Sequence, residues 1–293
     1  MQVSPDILWG FLSFLSWGVA DYLGRQLSVR MGSFVAAFYV QSVGILVPAL
    51  YFLGQVTLRG LDTSSDWQAL TLWGPLLGLL WMLAYIAYYR GLQTGMVSVV
   101  TAVASAWLAV SVLVAVLFLG ERVGPVQVAL IAIIVGGILL LALRNTSTMR
   151  GTGGTGFWYG IGAMLAIGLG AAFLKPLSHA VGPVMAVLAP KLVTAALLWV
   201  LIRVQRAPLS RPEGGAWRVI LPAAILDALG FVFYALGVSR APIIIIAPLA
   251  AAHPIVTMTL AWRLLHERPA RLQALGIAIT LIGVLSLSAS ARV

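Results

Sequence analysis

Runs of roughly twenty apolar residues, broken by short stretches carrying Gly, Pro and Arg, recur along the whole chain. A hydrocarbon layer about 30 Å thick takes roughly 20 helical residues at a rise of about 1.5 Å each. On that ruler the chain divides into ten predicted helices, at residues 7–24, 33–53, 68–89, 94–118, 125–143, 157–175, 182–204, 217–237, 241–263 and 271–289. Two longer breaks, Gly54 to Trp67 and Val204 to Trp217, hold corresponding places in the two halves. A third, Arg144 to Gly156, reads RNTSTMRGTGGTG; it is polar and flexible and is predicted to link them.

Composition names the solvent of these helices. With 61% hydrophobic and 9% charged residues and a mean hydropathy of +1.03, the chain lacks the polar surface to cover a water-soluble globule. The predicted class is an all-α integral membrane protein whose main partner is the lipid bilayer. The net charge of +10 does not point to nucleic acid, because the arginines sit at the ends of apolar runs and read as interfacial anchors. The absence of cysteine removes disulfides, thiolate metal sites and cysteine nucleophiles. The first predicted helix has neither a basic n-region nor a small-residue cleavage site, so it is kept as a mature span. No soluble domain is found.

The two halves overlay. A shift of 146 places Tyr88 on Tyr234, Gly91 on Gly237, Glu121 on Glu267, Arg122 on Arg268 and Gln127 on Gln273. Near the start a shift of 150 places Gly10 on Gly160, Gly18 on Gly168, Arg25 on Lys175, Ser28 on Ser178 and Gly32 on Gly182. The predicted organisation is a first repeat at 1–143, a linker at 144–156 and a second repeat at 157–293, each repeat with five helices. An odd number of spans makes the second repeat enter from the opposite side, giving an inverted-topology pair, which is a transporter architecture.

Each half ends in the same way: LFLGERVGPVQVALIAIIVGGILL in the first and WRLLHERPARLQALGIAITLIGVL in the second. This pattern resembles the EamA repeat of the drug/metabolite transporter (DMT) superfamily over essentially the whole chain. The second copy carries the family-like Pro254 ahead of Glu267, where the first has Leu108. The resemblance implies a ten-helix transporter with the fourth and ninth helices lining a central cavity and the fifth and tenth packed outside it. It also implies export, and termini in the cytoplasm.

Charge at the helix ends points the other way on orientation. Arg25, Arg30, Arg90, Arg144, Arg150, Arg203, Arg206, Arg211, Arg218, Arg263, Arg268 and Arg271, 12 in all, share one side; Arg59, Arg122, Lys175, Arg240 and Arg292, 5 in all, share the side of the termini. The count favours external termini, in a bacterial or archaeal cytoplasmic membrane.

Ionisable side chains within a span are costly unless they meet water, a partner or a substrate. Lys191, Asp227 and His253 fall near the middle of the seventh, eighth and ninth predicted helices, and the repeat shifts set Gln41, Trp81 and Trp107 at the matching places in the first half. These six, with Tyr85, are the predicted substrate-binding residues of a midplane cavity. Asp227 and Lys191 offer opposite charges, which would suit a zwitterion, while Trp81, Tyr85, Trp107 and His253 offer amphipathic walls. Asp227, then His253, are the candidate proton carriers. The plain alternative is an Asp227–Lys191 pair that only ties two helices, with His253 satisfied by a neighbour. Asp21 is predicted to pair with Arg25 one turn away. Glu121 and Glu267 are predicted to organise the tight connections after the fourth and ninth helices.

Pro248 and Pro254 predict a kink beside His253, and Pro190 repeats the arrangement beside Lys191. Gly156, Gly160, Gly168 and the pair Gly136 and Gly137 predict close helix approach. Trp67, Trp73, Trp158 and Trp217 read as an interfacial belt. No nucleotide-binding, zinc-protease or nucleophile-elbow motif is present, so no catalytic residue, metal, cofactor or enzyme activity is predicted. The expected function is secondary, alternating-access export of a small amphipathic metabolite such as an amino acid, with proton exchange, by a monomer. The alternatives are an importer or facilitator for a sugar derivative, nucleoside or amine, and a lipid-handling membrane protein.

Overall fold

The computed structural model describes residues 5–60, 66–95, 97–142, 153–206, 209, 212, 215–265 and 271–290. These fold entirely into helices: α1 Pro5–Met31, α2 Ser33–Gly44, α3 Leu46–Arg59, α4 Trp67–Thr94, α5 Val97–Ser105, α6 Trp107–Phe118, α7 Pro125–Ala142, α8 Gly153–Val181, α9 Pro183–Val204, α10 Trp217–Val238, α11 Ile243–Ala251, α12 Pro254–Leu265 and α13 Arg271–Ser290. Three pairs, α2–α3, α5–α6 and α11–α12, are single spans broken near the middle. Seven spans are long and apolar enough to cross a membrane outright, and shorter apolar segments in α5–α6, α7 and α13 complete the ten.

Several boundaries move. The Arg25-to-Arg30 stretch, predicted to be a connection, is helical as far as Met31, and Gly32 alone turns the chain into α2 with φ at 82°. Gly182 does the same between α8 and α9 at φ 80°, a backbone region that favours glycine. Of the expected linker, residues 144–152 lie outside the described residues, and α8 already begins at Gly153. Glu267 and Arg268 also lie outside the described residues.

The packing is a swap between halves. Helix α1 lies on α10 as α4 lies on α8; α2 packs on α10 as α9 packs on α4; α7 and α13, the last spans of each half, pack on each other. Close approaches repeat the rule. A Cβ on Gly18 would lie 2.4 Å from Val256 Cβ, and one on Gly168 would lie 2.4 Å from Val110 Cβ. Gly18 corresponds to Gly168, and Val110 to Val256, so both are one contact seen twice across a pseudo-two-fold axis, as inverted repeats require.

The broken spans carry the centre of the molecule. Pro254 has no N–H to give Ala250, and the chain crosses the gap with Ala252 N–H to Leu249 O at 3.3 Å and His253 N–H to Ala250 O at 3.2 Å. The predicted kink is therefore a full break at Ala252–His253. Its counterpart at Ala106, with Ala106 N–H to Val103 O at 3.2 Å, forms without a proline.

Candidate functional site: a midplane cavity between two carboxylates

A cavity opens where α1, α4, α8, α10 and the broken spans α5–α6 and α11–α12 meet, lined by Trp17, Trp81, Trp107, Tyr85, Tyr88 and Phe231, with Asp21, Asp227 and His253. About 540 Å3 lies between the atoms, mouth included, of which about 60 Å3 admits the centre of a water molecule. In this conformation the space takes a small, flat group. Trp17 is the hub of the aromatic wall, edge-on to Phe231 with centroids 5.0 Å apart and to Trp107 at 6.2 Å. Trp81 stands edge-on to the other side of Phe231 at 4.7 Å.

Two polar clusters border it, one reached by Tyr85 and the other by Tyr88, about a turn apart on α4. In the first, Lys191 Nζ meets Asp227 Oδ2 at 2.7 Å and Gln41 Oε1 at 2.8 Å, while Gln41 Nε2 donates to Asp227 Oδ2 at 3.2 Å. Tyr85 OH closes the network by donating to Asp227 Oδ1. Every charge here is met, as burial demands: Lys191 is 3% and Gln41 1% exposed. Lys191 and Gln41 do not line the main cavity; they line a small void behind it, reached past Trp81, Tyr85 and Phe231. The ammonium and carboxylate predicted to receive opposite ends of a zwitterion thus satisfy each other.

In the second cluster Tyr88 OH donates to Asp21 Oδ2 at 3.0 Å, and His253 Nδ1 approaches the same oxygen at 2.8 Å. That approach is off the line of the ring N–H, so it is a close polar contact rather than a directed hydrogen bond. His253 Nε2 lies 3.2 Å from Ser105 Oγ. The structure thus corrects the reading of Asp21: its partners are Tyr88 and His253 on other helices, and it faces the cavity. Its Oδ1 receives no hydrogen bond from the described residues. At 17% exposure its side chain is the most open of the four charged ones here, against 4% for Lys191, 9% for Asp227 and 10% for His253.

On the side of the membrane shared by the termini the cavity is sealed. Tyr234 is fully buried beneath Trp17 and Trp107. Further out, Glu121 Oε1 takes Lys175 Nζ at 2.6 Å and the Ile243 N–H at 2.9 Å, and Oε2 takes the Ile244 N–H at 3.3 Å. Glu121 therefore caps the N-terminus of α11 and pins α8 of the other half. The expectation of a role within its own connection is replaced by a tie between halves.

All seven predicted site residues meet at this centre, five on the main cavity and two behind it. Trp17, Asp21, Tyr88, Ser105 and Phe231 were missed. Trp17 sits in an apolar run with no charged repeat partner to mark it, Phe231 was within reach as the repeat partner of Tyr85, and for Asp21 the cost of an in-span carboxylate was the available signal.

Comparisons with known proteins agree with this architecture. A solved structure titled "Crystal structure of protein" superimposes with a TM-score of 0.79 at 20% sequence identity, over 99% of this chain and 99% of that one, a likeness that carries the fold. No curated protein matches. The sequence pattern of the EamA-like transporter family matches twice, over residues 5–143 and 154–289. With both halves matched and packed as swapped copies around a central cavity, the chain belongs to the EamA-like transporter family, within the drug/metabolite transporter superfamily.

Proposed function

We propose that this membrane transporter exports a small amphipathic metabolite bearing an amino group, such as an amino acid or a simple amine, by alternating access and in exchange for protons. The observation that carries the reading is the aromatic cavity at the breaks of α5–α6 and α11–α12, bordered by two carboxylates. Gln41, Trp81, Tyr85, Trp107, Lys191, Asp227 and His253 form the binding region, joined by Trp17, Asp21, Tyr88 and Phe231. A proton reaching Asp227 competes with Lys191 for the same oxygen, and one reaching His253 draws it towards Asp21, so either event redistributes charge beside the substrate. Termini outside a bacterial or archaeal cytoplasmic membrane, and a monomer whose two repeats are joined ahead of α8, complete the proposal.

Proteoliposomes under an imposed pH gradient test the coupling. Asp227→Asn is expected to lose most gradient-driven transport; wild-type rates in that variant would remove Asp227 from the proton path. Orientation is tested separately by a C-terminal cysteine, since the native chain has none. Labelling by an impermeant thiol reagent on intact cells is expected, and no labelling of a well-expressed protein would reverse the assignment.

A further inference from the structure

We infer that the cavity recognises a cation, a protonated amine on a small apolar or aromatic body lacking a free carboxylate, and that Asp21 is its counter-ion. The inference rests on the transport reading above and narrows its substrate class.

The charge of the lining favours a cation. Among the described residues lining the cavity, Asp21, Asp227 and His253 are present and no Lys or Arg is. Lys191, behind the wall, answers Asp227, so the negative balance of the lining falls on Asp21. An ammonium neutralises that balance. A zwitterion adds a carboxylate that finds no Lys or Arg among the described lining residues, which is a heavy cost away from water.

The two carboxylates differ in how fully their oxygens are engaged. Both Asp227 oxygens are taken, by Lys191 and Gln41 on one and by Tyr85 on the other. Asp21 keeps Oδ1 for an incoming donor, and its side chain is the most exposed of the charged groups at the site. Tyr88 fixes its position without using that oxygen.

The aromatic wall suits a cation as well. Trp17, Trp81, Trp107 and Phe231 line the space, and the negative face of an aromatic ring attracts cations. The protein already uses one in this way: Lys191 Nζ lies 5.2 Å from the Phe231 centroid.

The test uses purified protein in detergent and a matched series: 2-phenylethylamine as the cation, phenylalanine as the zwitterion and 2-phenylethanol as the neutral isostere. Melting is followed against ligand concentration. The amine is expected to stabilise saturably, with at least about tenfold higher affinity than phenylalanine or the alcohol, the margin of one charge-assisted hydrogen bond. Asp21→Asn is expected to erase that margin and leave the weak alcohol response in place. Stabilisation by phenylalanine equal to or above that of the amine overturns the assignment, as does an undiminished margin in folded Asp21→Asn. No response to the amine also overturns it. Should Asp21→Asn fail to fold, the wild-type series alone decides. Counterflow separates the two proposals: movement of phenylalanine but not the amine sinks the cation assignment and keeps transport, whereas movement of no metabolite sinks transport.

Discussion

Lys191 and Asp227 show what a buried ion pair commits a protein to. Each is nearly sealed, so removing one leaves the other as an uncompensated charge, at a cost of about 3–5 kcal/mol. Asp227→Asn is expected to lower the melting temperature in detergent markedly. Asp227→Asn combined with Lys191→Gln is expected to regain much of the loss, because the stranded ammonium is gone; a double variant no better than the single one would show that the pair has no shared energetics. These residues were legible in the sequence because a charge in the middle of a span announces itself. Asp21 was legible as a charge but misread, since Arg25 one turn on offered a local partner. Trp17 gave no signal, whereas Phe231 stood in the repeat position of Tyr85 under the shift of 146.

Helices are placed here by small residues and breaks. The Gly136 and Gly137 pair reads alike in sequence, yet a Cβ on Gly137 would meet Thr280 Oγ1 at 2.5 Å and one on Gly136 would meet nothing within 4 Å. Gly137→Ala is expected to force α7 from α13 and cost about 1–3 kcal/mol, whereas Gly136→Ala should be neutral or stabilising by up to about 1 kcal/mol. Melting curves of the two variants check this; equal effects would contradict the packing. The break at His253 was legible because Pro254 removes a donor. The matching break at Ala106 was not, since Leu108 stands in the proline's place and the repeat symmetry was its one trace. Glu121 was beyond sequence reasoning for another reason: its partners lie 54, 122 and 123 residues away.

At the scale of the whole molecule, hydropathy counted the spans and the overlay paired the halves, but neither indicates which side of the cavity is shut. The structure closes the terminal side with Tyr234 and the Glu121 tie. Glu121→Gln is expected to loosen that seal, so that a cysteine at Phe231 in an otherwise functional protein is labelled severalfold faster from the terminal side; unchanged labelling would mean that the aromatic layer alone holds it. The central claim, that this cavity carries a substrate through an inverted-repeat transporter, is tested most directly by counterflow in proteoliposomes against a panel of amines, amino acids, sugar derivatives and nucleosides. The account predicts saturable accumulation of at least one amino-bearing compound, abolished by Trp17→Ala or Asp21→Asn in folded protein. Accumulation of none of them, or full activity in both variants, would contradict it.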